Sequence, residues 1–236
     1  QEQAMLMLRQ SLSNGHRRVM LAAPTGAGKT VLAGAVVHGA LAKGKRVLMT
    51  VPRIQLCEQT VESLWSEGVR DIGVIQADHS MTNSAMPVQI ASIQTLSRRG
   101  IPPADVVVVD EAHVVFRIFS SWFSDPEWAK VPFIGLSATP WTKGLGKLYE
   151  DLIIAATTQE LIDKGFLAPF KVFAPPSGRS PDLSGIKTVA GDYHEGQLSK
   201  AMSNADLIAD AVETWQALGE NRPTFCFGVD CAHAQK

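Results

Sequence analysis

Cysteine is scarce in this chain of 236 residues: there are three, Cys57, Cys226 and Cys231, and none forms a C-x-x-C pair. An odd count without that spacing argues against both a disulfide framework and a zinc site, so a reducing, cytoplasmic setting is expected. Net charge is also lacking. The formal value is −1, and no run of five like charges occurs, so no basic tail advertises nucleic acid, although a neutral protein can still carry a locally positive groove. No apolar run approaches the roughly 20 residues of a membrane span, and no secretory leader is visible. No membrane partner is therefore expected. Internal repeats and low-complexity tracts are absent as well.

What is present is ordinary globular composition, 45% hydrophobic and 19% charged, enough to fill a sizeable core. Apolar runs alternate with helical patterns. Strands are expected at Val19–Ala23, Arg46–Val51, Ile72–Gln76, Val88–Ala91, Asp105–Val109 and Phe133–Leu136. Helices are expected at Lys29–Ala42, Ile54–Trp65, with Gly68 as its stop, and Ser92–Arg98. Asp78–Ala85 is polar and loop-like. The near-pure valine of Asp105–Val109 is the pattern of a strand buried on both faces of a parallel sheet. The β-α-β order predicts an α/β fold, a mostly parallel sheet with helices on both faces. After Pro140 the pattern loosens: helices at Leu148–Ala155 and Thr158–Lys164, a strand at Phe170–Ala174, a loop over Pro175–Gly191, a helix at Ala205–Leu218 and a strand at Thr224–Gly228.

Three motifs carry chemistry. The first is Ala23-Pro24-Thr25-Gly26-Ala27-Gly28-Lys29-Thr30, between a strand and a helix. Gly26 and Gly28 allow backbone N–H groups to turn inward, and these donors, with the positive helix N-terminus, can cradle phosphates. Thr25 through Thr30 are the expected nucleotide-binding residues. Lys29 would reach the β- and γ-phosphates of ATP, and the Thr30 hydroxyl would hold Mg²⁺. Ala23 stands where the general pattern has glycine. The alternative is a glycine-rich turn with an exposed lysine.

The second motif is Asp110-Glu111-Ala112-His113, at the C-terminal end of the valine strand. Ligands bind outside the C-terminal strand ends of such sheets. Asp110 would hold Mg²⁺ and Glu111 would orient and deprotonate an attacking water, since phosphoryl transfer rests on positioning and charge neutralisation. The alternative is an acidic helix start, and His113 alone could be a capping or core histidine. The third motif is Ser137-Ala138-Thr139-Pro140. The hydroxyls of Ser137 and Thr139, beside the carboxylates, could relay the state of the γ-phosphate; alternatively the segment is a polar turn stopped by proline.

In this order the three motifs resemble superfamily 2 DEAD/DEAH-box helicases, and within them the DEAH-type group that includes type III restriction subunits and phage helicase motors. The resemblance implies a RecA-like P-loop NTPase fold over residues 1–170, a linker region over 171–203, and at 204–236 the start of a second, truncated RecA-like lobe. Val51-Pro52-Arg53 with Gln55, Leu56 and Gln59 resembles motif Ia, and Ala91-Ser92-Ile93-Gln94-Thr95-Leu96 resembles the motif Ib region. By that resemblance Pro52, Arg53, Gln94 and Thr95 would touch a nucleic-acid backbone, a contact that carries no sequence information. Gln1 resembles the adenine-reading glutamine that precedes the first helix in relatives. Cys226-Phe227-Gly228-Val229-Asp230 resembles motif IV. The implied activity is ATP hydrolysis coupled to movement on nucleic acid, DNA before RNA. The arginine-bearing motifs of the second lobe do not occur before Lys236, so the chain reads as a fragment that alone turns ATP over weakly or not at all. The other readings are a nucleotide-binding lobe serving as scaffold or switch, and a P-loop kinase or GTPase. The Asn-Lys-x-Asp guanine reader of the latter does not occur.

Overall fold

The computed structural model describes residues 1–76, 79–114, 117–173, 181–189 and 192–235. The chain divides into two compact units, Gln1–Pro169 and Phe170–Lys236.

The first unit is built on seven strands: β1 (Arg18–Ala22), β2 (Val47–Val51), β3 (Ile72–Ile75), β4 (Val88–Ser92), β5 (Val106–Val109), β6 (Phe133–Ser137) and β7 (Asp151–Ile154). Their order across the sheet is β3-β4-β2-β5-β6-β1-β7, and every pairing is parallel. Side chains alternate between the two faces of a strand, and here both faces are covered. Val19, Leu21, Val47, Met49, Val51, Val108 and Ile134 join one buried cluster, with α1 (Glu2–Ser13), α2 (Lys29–Leu41) and α3 (Leu56–Ser66) packed on it. Met20, Leu48, Val107, Val109 and Phe133 join another, beneath α4 (Ile93–Arg99) and α5 (Arg117–Ser124). On that second face Phe133 packs edge-on to Trp122 and Phe123, with ring centroids 5.1 and 4.8 Å away. A short helix, α6 (Leu145–Leu148), leads into β7, and α7 (Thr158–Asp163) follows it. The Thr157 hydroxyl and the Glu160 carboxylate cap the start of α7 reciprocally. Among the described residues no helix is long and apolar enough to cross a membrane.

Three sequence expectations are corrected. Leu148–Ala155 is not one helix: Asp151–Ile154 is an extended edge strand in register with Val19–Ala22 of β1. Only Ile153 is buried along it, so the stretch has too little period-2 signal to betray a strand. The pairing comes from the open edge of β1, a distant partner. Phe170–Phe173 and Thr224–Gly228 form no strand. An extended segment becomes a strand only when a neighbour takes its N–H and C=O groups, and no described residue pairs with either. Asp78, Ala174, Pro175–Ser180, Ala190, Gly191 and Lys236 lie outside the described residues.

The second unit holds a two-stranded antiparallel pair, β8 (Thr188–Val189) with β9 (Asp192–Tyr193), so the expected loop carries a strand at its end. Three helices follow: α8 (Glu195–Met202), α9 (Ala205–Leu218) and α10 (Cys231–Ala234). Phe225 and Phe227 are 90% and 89% exposed.

Candidate active site

The glycine-rich loop joins β1 to α2. Ala23 N–H donates to Ser137 O at 2.8 Å, which ties the start of the loop to the end of β6. Gly26 and Gly28 take left-handed backbone angles, φ +85° and +81°, where a side chain is strained. Gly28 caps α2, and its carbonyl accepts from Leu32 N–H at 3.0 Å. Ala27 is buried, whereas Thr25, Gly26 and Thr30 are exposed. The Gln1 amide Nε2 donates to Ala27 O at 3.2 Å, so Gln1 touches the loop. A Cβ at Gly28 would fall 2.1 Å from that same amide.

The carboxylates arrive from β5. Asp110 N–H donates to Thr50 O at 2.9 Å, which extends the β2–β5 ladder by one bond, and Ala112 N–H donates to Leu136 O at 2.9 Å on β6. Glu111, between them, is forced to φ +48°. That left-handed conformation is uncommon for a residue with a Cβ, and such strain clusters at functional sites. Glu111 N–H donates to Asp110 Oδ1 at 2.9 Å.

Lys29 lies between the two acids. Its ammonium donates to Glu111 Oε1 and stands 3.7 Å from Asp110 Oδ1. Burial raises the Asp110 carboxyl above its ordinary value, and the Lys29 charge opposes that rise. His113 Nδ1 is 3.3 Å from Glu111 Oε2 and 3.0 Å from Ser137 Oγ. Ser137, fully buried, also accepts from Thr139 N–H at 3.0 Å. Lys29, Asp110, Glu111, His113, Ser137 and the Thr139 backbone thus form one connected polar network across the C-terminal ends of β5 and β6.

Thr30 lines a cleft together with Lys29 and Asp110. Its other wall is α3, through Gln59, Thr60 and Ser63. Gln59 belongs by sequence to the motif Ia resemblance, and nothing in the motifs points to Thr60 or Ser63. The available signal is their spacing, since residues three and four apart share one face of a helix. Mg²⁺ suits the donors present. It keeps several waters and is bound through one or two carboxylates plus substrate phosphates, and Asp110 and Thr30 offer one carboxylate and one hydroxyl. No group of three His, Cys, Asp or Glu side chains among the described residues is placed to hold a metal by itself.

Pro52, Arg53, Gln94 and Thr95 do not join this network. They follow the C-terminal ends of β2 and β4, further along the same sheet edge. Arg53 and Gln94 are exposed. Thr95 helps to start α4, where its N–H donates to the Ser92 hydroxyl at 3.1 Å and the two hydroxyls are 3.0 Å apart.

The chain is similar to several known proteins. The chain is 24% identical over 229 residues to a "51.5 kDa protein" of a Lactococcus phage (isolate 7-9), a match covering 91% of the chain and 45% of the relative. It is 33% identical over 128 residues to "Probable helicase HelY" of Mycobacterium tuberculosis, covering 51% of the chain and 14% of that protein. The chain therefore spans less than half the length of these relatives. Among solved structures, the UvsW helicase of bacteriophage T4 superposes with a TM-score of 0.51 at 20% identity, over 58% of this chain and 54% of that one. That likeness shows the RecA-like fold of helicase motor domains. Residues 1–142 match the family model of the type III restriction enzyme res subunit, and the chain belongs to that family, within the helicase-like proteins of superfamily 2.

Proposed function

We propose that this chain is the ATP-binding and ATP-hydrolysing lobe of a nucleic-acid motor, a helicase or translocase that acts on DNA in preference to RNA. The observation that carries the reading is the meeting of Lys29 with Asp110 and Glu111, 82 residues apart in sequence for the shorter contact, beside two left-handed glycines at a helix N-terminus. The inward amides of residues 25–30 and the Lys29 ammonium bind the triphosphate; Gln1 contributes to the adenine side. Asp110 and Thr30 would hold Mg²⁺, which when bound neutralises charge on the β- and γ-phosphates. A triphosphate competes for Lys29 and so releases the Glu111 carboxylate to take a proton from water. His113, Ser137 and Thr139 link that carboxylate to the edge of the sheet. Pro52, Arg53, Gln94 and Thr95 serve the nucleic-acid backbone. Residues 204–236 begin a second RecA-like lobe and 171–203 link to it.

A second reading, a nucleotide-operated scaffold or switch, draws on one observation: among the described residues no arginine lines the cleft. An arginine supplied from outside is worth about 10³–10⁵ in rate in related chemistry. ATPase assays on the whole protein and on residues 1–236 separate the readings. The motor reading expects turnover by the whole protein that rises on adding DNA or RNA, and little turnover by the fragment. Lys29→Ala and Glu111→Gln should each abolish turnover, with Glu111→Gln retaining ATP binding. A whole protein that hydrolyses ATP at one rate with and without either polymer would sink the motor reading.

A further inference from the structure

An exposed aromatic ring beside cationic side chains offers a stacking platform for bases. Trp141 is 72% exposed. It directly follows Pro140, which is buried, so the backbone that presents the indole is anchored. The next anchor is Leu145, 6% exposed. Between and just beyond these anchors, Thr142, Lys143, Gly144, Gly146 and Lys147 are all exposed. The segment 141–147 thus offers one indole, two ammonium groups, a hydroxyl and no acid. Neither lysine is ion-paired to another described residue.

This platform is wired to the reacting carboxylate. Trp141 N–H donates to Thr139 O at 2.8 Å, Thr139 N–H donates to Ser137 Oγ at 3.0 Å, and Ser137 Oγ meets His113 Nδ1 at 3.0 Å. His113 Nδ1 is in turn 3.3 Å from Glu111 Oε2. Trp141 follows the C-terminal end of β6 as Arg53 follows β2 and Gln94 follows β4, whereas the segment beyond it runs back to Asp151, where β7 starts level with Val19 of β1. Three strand spacings separate β4 from β6, about 14 Å, a span that a few nucleotides of single strand can bridge.

An indole beside an ammonium group matches the chemistry of an unpaired nucleobase with its phosphate: bases stack on aromatic rings regardless of sequence, and lysines track the backbone. We propose that Trp141 stacks on an unpaired base while Lys143 contacts the adjoining phosphate. This rests on the nucleic-acid motor reading and sharpens it. The ligand must expose at least one base, as a single strand, a fork or an opened duplex does, whereas an intact duplex hides its base faces.

The test uses the whole protein and fluorescently labelled oligonucleotides: a single strand, the same strand with abasic sites in its middle, a forked duplex and a blunt duplex. Wild type should bind the intact strand about 5- to 100-fold more tightly than the abasic one. Trp141→Ala should lose that discrimination and Trp141→Phe should keep most of it, while the strand concentration for half-maximal ATPase stimulation rises in Trp141→Ala. Lys143→Ala should weaken intact and abasic strands alike and reduce the salt dependence of binding by about one phosphate contact. Trp65→Ala is the control, an exposed indole at the far end of α3, and should discriminate as wild type does. If Trp141→Ala still prefers the intact strand as strongly as wild type, the stacking proposal is overturned and the motor reading stands. If no polymer binds or stimulates wild type, the motor reading fails and the stacking proposal fails with it.

Discussion

Consider Lys29→Ala in the absence of nucleotide. The substitution removes the one cation between Asp110 and Glu111 and leaves two carboxylates facing each other. At 3.7 Å and an effective dielectric of about 20, the Lys29–Asp110 attraction is about 4 kcal/mol before desolvation. Both side chains retain some solvent, 25% and 22% exposed. The net cost therefore falls between the about 1 kcal/mol of a surface pair and the about 3–5 kcal/mol of breaking a buried one, or about 2 kcal/mol. The pH dependence sharpens the expectation. Burial raises the Asp110 carboxyl and Lys29 pulls it back. A carboxyl raised on folding holds its proton more tightly in the folded chain. Its favourable contribution is full below the unfolded value, about 3.9, and is lost as pH rises through the higher folded value. Without Lys29 the folded value climbs further, so the variant falls behind wild type as pH rises. Urea denaturation followed by tryptophan fluorescence should show a deficit of about 2 kcal/mol near pH 7.5 that shrinks as the pH is lowered. A deficit that does not change with pH, or none at the higher pH, would refute the account of Lys29 as counter-charge.

Gly28→Ala should destabilise the first unit by about 1–2 kcal/mol, because φ is +81° and a Cβ resists that region; calorimetry should also find nucleotide affinity reduced. Thr157→Ala should cost about 1 kcal/mol by opening the reciprocal cap of α7, seen as a lower melting temperature with nucleotide affinity unchanged. Phe133→Ala should cost about 3–5 kcal/mol, since the ring is 2% exposed amid Trp122, Phe123 and Trp128; denaturant titration checks it, and a cost under about 1 kcal/mol would mean the aromatic cluster repacks. Ser137→Ala should leave ATP binding in place while blunting stimulation by nucleic acid, because the hydroxyl joins His113 to the Thr139 backbone.

The central strands are legible in the sequence because they are covered on both faces. A run such as Val106-Val107-Val108-Val109, buried at three of its four positions, has no other reading in a chain with helical patterns on either side of it. The edge strand β7 is not legible, since one buried residue in four sets no period and the neighbouring strand β1 lies some 130 residues earlier in the chain. Thr224–Gly228 misleads for a related reason: composition suggests an extended segment, but pairing depends on a partner. At the site, glycine and lysine spacing announces the loop, and a run of valines announces where the carboxylates emerge. The left-handed Glu111, the Lys29 ammonium held by two acids, and the Gln59–Ser63 wall of the cleft depend on contacts between distant segments. No local pattern encodes those.

The strand order has a consequence for synthesis. Of the seven strands β1 is made first, yet among the described residues it pairs only with β6 and β7, whose residues begin at Phe133 and Asp151. β2 waits about half as long, since its partners β4 and β5 begin at Val88 and Val106. At about 5–20 residues per second, Arg18–Ala22 waits on the order of 5–20 s on the ribosome before Phe133–Ser137 arrives beside it. During that interval an apolar strand and the glycine loop after it are made but not assembled. The glycine-rich loop is thus translated well before the strand that shapes it, and its geometry waits on Phe133–Ser137, to which Ala23 N–H is tied.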